Sequence, residues 1–103
     1  MEEVSSNELR KAVEAQHGGA ATLVTKLPVK EVFEGKTTWE GVVHIFNLEG
    51  NPRATRAYAW SSLVEGSDKR RFFAFLHLGS IRSPLDAVRA AIVAEQRATD
   101  DLP

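Results

Sequence analysis

The sequence predicts an α+β domain: an antiparallel sheet of about four strands in a meander, a C-terminal helix packed on one face, and a short N-terminal helix. Three observations carry this. Trp39 to Leu48 reads WEGVVHIFNL, free of proline and rich in β-branched and aromatic residues, and it is long enough to cross a sheet. Two further runs of the same character, RATRAYAWSSLV (53–64) and RFFAFLHL (71–78), follow it across short turns, and short turns join antiparallel neighbours. Residues 83–98 then switch to helical spacing behind a clear start signal.

Length and composition bound the rest. At 103 residues, 43% hydrophobic and 26% charged, residues 1–103 make one globular domain, with 98–103 as a polar, frayed tail. A formal net charge of -1 gives no global field for nucleic acid or an anionic membrane. The chain has no cysteine, which excludes disulfides, thiolate catalysis and Cys-ligated zinc and suits the cytoplasm. The opening Met1-Glu2-Glu3 is unlike a signal peptide, and no apolar run approaches the ~20 residues of a membrane span.

Val4 to His17 reads as an amphipathic helix. Ser5 and Glu8 form a capping box, Val4 and Leu9 a hydrophobic staple, and Leu9, Ala12 and Val13 one apolar face. Gly18-Gly19 stops it. Residues 21–34 hold two β-like pieces, ATLVTKL and VKEVFE, separated by Pro28. Proline cannot donate into a ladder, so this segment is expected at a sheet edge or bent at Pro28. Gly35-Lys36 is read as the next turn, Glu49 to Pro52 and Glu65 to Asp68 as the two after it, and Gly79 ends the last strand. Ser83 is a good N-cap with Pro84 at the first helical position. Leu85, Val88, Ala91, Ile92 and Glu95 then form a stripe able to cover a sheet face.

The opening stretch is apolar on both faces, so something must cover each side. Placing Leu48 near Ala54 and Val64 near Arg71 sets His44 opposite Tyr58, Val42 opposite Trp60, Trp60 opposite Phe75 and Tyr58 opposite His77. One face then carries Val43, Ile45, Ala57, Ala59, Phe72, Ala74, Leu76 and Leu78. Its small alanines are expected to admit the C-terminal helix. The other carries Val42, His44, Phe46, Arg56, Tyr58, Trp60, Phe73, Phe75 and His77. A slip of one residue in a hairpin would move a strand to the opposite face.

The plain reading of the aromatic set is a second core layer beneath the N-terminal helix, the 21–34 segment or another copy of the chain. The N-terminal helix has few large apolar residues. Self-association is therefore the expected use: a non-enzymatic binding or interaction protein, homodimeric through His44, Phe46, Arg56, Tyr58, Trp60, Phe73, Phe75 and His77. A second reading makes His44, Tyr58, His77 and Trp60 a small-molecule pocket or a minor active site. No cofactor is called for, and no metal: the two histidines would stand roughly 9–10 Å apart without a placed carboxylate. A third reading stacks single-stranded nucleic acid on the rings, with Arg53, Arg56, Lys69, Arg70, Arg71 and Arg82 for charge. The acidic balance and the missing RNP-type pattern weigh against it, and the last helix opens Ser83-Pro84-Leu85-Asp86 rather than with the lysines of a double-stranded-RNA-binding domain. No catalytic residue is assigned, because phosphate-binding loops, nucleophile elbows and metalloprotease motifs are missing.

The runs TTWEGVVHIFNLEGNPRATRAYAWS and SPLDAVRAAIVAEQ resemble a group of small bacterial proteins of unknown function carried on mobile or accessory DNA such as integron cassettes. The resemblance spans roughly the C-terminal two-thirds. It implies a bacterial, cytoplasmic accessory protein and transfers no activity or site residue.

Overall fold

The computed structural model describes residues 5–63 and 66–100. Helix α1 (Ser6–His17) is followed by β1 (Ala20–Phe33), β2 (Lys36–Glu49), β3 (Arg56–Leu63), β4 (Arg70–Leu76) and α2 (Pro84–Asp100). The strands form one sheet in the order β1-β2-β3-β4, every neighbour antiparallel, so the predicted meander and fold class hold. No helix among the described residues is long and apolar enough to cross a membrane.

Local signals account for both helices. Ser5 caps α1 by accepting the Glu8 N–H at 3.2 Å, and Gly18, with φ of 79°, ends it while donating to the Glu14 carbonyl. The staple partner Val4 lies outside the described residues. Ser83 caps α2 by accepting the Asp86 N–H, and the Asp86 carboxylate accepts the Arg82 N–H in return. The helix continues to Asp100, past the expected end near Ala98, and 101–103 lie outside the described residues.

Pro28 does not divide its segment. Residues 20–33 form one edge strand with Pro28 opposite Val42, and an extra residue at Val24 interrupts the ladder. The turn into β2 is Glu34-Gly35, one residue earlier than read from the sequence. Both residues have positive φ (51° and 78°), the geometry of a tight two-residue hairpin.

The register of β2 on β3 corrects the sequence reading. His44 faces Ala59, Ile45 faces Tyr58 and Phe46 faces Ala57, one residue away from the expected pairing. The cause lies in the connecting loop. Asn51 folds into an Asx-type turn whose Oδ1 accepts the N–H groups of Arg53 and Ala54, and Leu48 donates to Thr55 rather than meeting Ala54. That shift exchanges the faces of β2. Between β3 and β4 the slip is two residues, with Tyr58 opposite Phe75 and Trp60 opposite Phe73, so their shared faces are preserved.

Each sheet face carries its own core. On one, Leu9 and Val13 of α1 pack onto Ala57, Ala59, Ala74, Phe46, Leu48 and Leu76. On the other, Ala87, Val88 and Ala91 of α2 pack with Val43, Ile45, Tyr58 and Trp60, and Phe73 and Phe75 join from β4. The helices are thus exchanged relative to expectation: α2 covers the rings and α1 covers the alanines. Beyond His44 the β2–β3 ladder ends. There Trp39 lies edge-on to Trp60 at 5.8 Å. Gly41 is required beneath it, because a Cβ would come within 2.9 Å of the Trp39 ring.

Candidate functional site

The eight residues singled out on the sequence separate into three groups. His44 and Phe46 lie on the α1 face, 5% and 0% exposed, away from the others. Trp60, Phe73 and Phe75 are core. Trp60 stacks on both phenylalanines at 5.3 and 5.6 Å, nearly parallel, and α2 lies over the cluster. The proposed open aromatic face therefore does not exist as a free surface, and the row His44–Tyr58–His77 is not formed. Arg56, Tyr58 and His77 do come together, at the sheet end beside the start of α2.

Tyr58 is 1% exposed, but its hydroxyl reaches the rim and bonds the exposed His77 at Nδ1, 2.6 Å away. Strand geometry sets this up: His77 donates its backbone N–H to the Arg56 carbonyl, so the two flank the end of β3. Burial pushes the Tyr58 pKa up, and the Arg56 guanidinium works in the opposite direction through its charge and a hydrogen bond. The contact is a hydrogen bond in either tautomer of His77: the phenol donates to a bare Nδ1 or accepts from a protonated one.

These residues stand at an open groove of about 440 Å³ lined by Asn47, Leu48, Glu49, Thr55, Arg56 and His77. Asn47 is the cross-strand partner of Arg56. Asn47, Glu49 and Thr55 were not singled out from the sequence. They flank the loop after β2, and only the one-residue register shift brings Asn47 opposite Arg56. The groove thus offers several N–H donors, a hydroxyl and one carboxylate on strand ends held by the ladder.

A second polar group holds α1 down. Glu14 accepts the Ala21 N–H at 2.9 Å and pairs with Arg10 at 3.0 Å. The Ala21 N–H chiefly, with Arg10 adding to it, lowers the Glu14 pKa despite opposing desolvation. His17 Nε2 donates to the Ala74 carbonyl at 2.8 Å, and the Asn51 amide donates to the His17 carbonyl at 2.9 Å. These contacts are made within the fold, between α1, β1, β4 and the loop after β2. On the other face Arg89 of α2 pairs with Glu31 of β1, which lowers the Glu31 pKa.

Comparison with protein-family models, with curated proteins and with solved structures returns no match for this chain.

Proposed function

We propose that this chain is a non-enzymatic binding protein that takes a small polar ligand in the groove at the sheet end. The supporting observation is the Tyr58–His77 hydrogen bond beside Arg56 at the lip of a cavity of small-molecule size. Binding fits the arrangement better than catalysis. Burial raises the Tyr58 pKa and so disfavours the phenolate, and the histidine nitrogen nearest to it is already engaged by the hydroxyl, so neither is poised as nucleophile or base. A bacterial, cytoplasmic accessory role belongs to the same reading, supported by the cysteine-free composition and the resemblance carried by 37–61 and 83–96.

A thermal-shift screen of small polar metabolites tests this. A ligand at a hundredfold excess over its Kd should raise Tm by about 10 °C or more in a domain of this size. Arg56→Gln and His77→Gln should each remove most of that rise. A screen without a hit, or a hit indifferent to both substitutions, would sink the proposal.

One observation favours homodimerisation as a second reading, through a different surface from the rings. The projecting β1–β2 hairpin exposes Leu27, Val32 and Phe33, the last 67% exposed. Sedimentation should then give a dimer that Phe33→Lys converts to a folded monomer. A wild-type monomer at about 100 μM, where even a weak micromolar dimer would be populated, removes this reading.

A further inference from the structure

The groove is electrically two-sided, and we infer that it selects a small zwitterion, an amino acid or a molecule with the same pair of charged groups, over a simple anion or a simple amine. This rests on the binding reading above and names its ligand class.

Arg56 and Glu49 are both exposed and both line the groove. Arg56 stands opposite Asn47, and Glu49 lies two residues further along the same strand, on the same side of the sheet. Two residues of strand separate the cationic row from the acidic one by about 7 Å at the backbone. One small molecule can therefore touch both. Neither of the ion pairs Arg10–Glu14 and Arg89–Glu31 involves Arg56 or Glu49, and the two groove charges stand on separate rows.

The donors are not evenly spread. The Nδ1 atom of His77 is engaged by the Tyr58 hydroxyl, so Nε2 is the ring nitrogen left to face a ligand, beside the guanidinium N–H groups of Arg56. Two donors of that kind suit a carboxylate, which accepts at two oxygens. Glu49 at the other end accepts only, and it suits an ammonium group. A bare anion would meet Glu49 as a like charge, and a bare amine would meet Arg56 in the same way. The Asn47 amide and the Thr55 hydroxyl can serve either end.

Two-dimensional NMR titration of the full chain separates the possibilities. The probes are the free amino acids, with acetate, inorganic phosphate and methylamine as single-charge controls. At least one amino acid should move the amide signals of Asn47, Thr55 and His77 saturably, about tenfold or more tighter than any control. Glu49→Gln should erase that preference while leaving acetate binding unchanged or tighter, and Arg56→Gln should weaken both. Spectral dispersion reports whether each variant is folded. If acetate or phosphate binds as well as every amino acid, the zwitterion is overturned and the binding groove stands. If no probe at about 10 mM moves these signals, millimolar binding of amino acids is excluded and the zwitterion is overturned, while the groove reading stands or falls by the thermal-shift screen.

Discussion

The two faces of the sheet solve one packing problem with opposite distributions of size. On the α1 side the sheet is small at its centre, with Ala57, Ala59 and Ala74, and the helix supplies the bulk through Leu9 and Val13. On the α2 side the sheet supplies most of the bulk through Tyr58, Trp60, Phe73 and Phe75, and the helix sets the small Ala87 and Ala91 on either side of Val88 against them. Close packing needs large against small at each contact, and it is indifferent to which partner is large. Small sheet residues therefore do not identify which helix will sit on them. The better guide is the helix: a face with two alanines about a single valine suits a sheet with rings, and a face led by Leu9 and Val13 suits a sheet with space.

The strongest test of this contrast is removal of bulk from the ring side. Trp60→Ala should cost about 3–5 kcal/mol, measured by urea denaturation, because α2 cannot collapse onto two facing phenylalanines through its alanines. A loss below about 1 kcal/mol would mean that the rings do not hold that helix. Next in size is addition of bulk where each side is small. Ala59→Leu under α1 and Ala87→Leu under α2 should each cost about 1–3 kcal/mol. Only the first should expose α1 amides to faster hydrogen exchange, and only the second those of α2. If both variants loosen the same helix, the two cores are not separate units.

The smallest effect concerns the carboxylates. Glu14 joins α1 to β1, and Glu31 joins β1 to α2; both pKa values are lowered from 4.5 in the folded chain. A depressed carboxylate contributes stability that is present above its unfolded pKa and is lost as pH falls through the folded value. The urea midpoint should therefore drop on acidification below 4.5, and Glu14→Gln and Glu31→Gln should each flatten part of that drop. An unchanged slope in both variants would show that the acid loss arises elsewhere.

Much of the fold was legible because its signals are local. Ser5, Gly18, Ser83 and Pro84 mark helix ends by chemistry that acts within a few residues, and the segregation of alanines from rings along β3 and β4 survives a two-residue slip. The site was only half legible. Arg56, Tyr58 and His77 lie on β3 and just beyond β4, where the parity was right, so they share a face although His77 pairs with Arg56 rather than with Tyr58. His44 and Phe46 lie on β2, which is apolar on both sides and so looks equally satisfied in either register. Nothing in its hydrophobic pattern could choose; the Asx turn at Asn51 did, by spending one more residue than a tight turn would. The same shift hid Asn47 and Glu49 from the site.

The outer strand has one more consequence. Across its 14 residues β1 carries an inserted residue at Val24, a proline at position 28 and lysines at 26 and 30. The insertion and the proline break the row of hydrogen-bonding groups that an incoming strand would need, and the lysines set charge beside it. The long border of this protein is thus closed to growth of the sheet, and fibre-like stacking through it is disfavoured. Whatever settles on the hairpin must grip it by side chains, as a hand grips a railing, and cannot become a fifth plank.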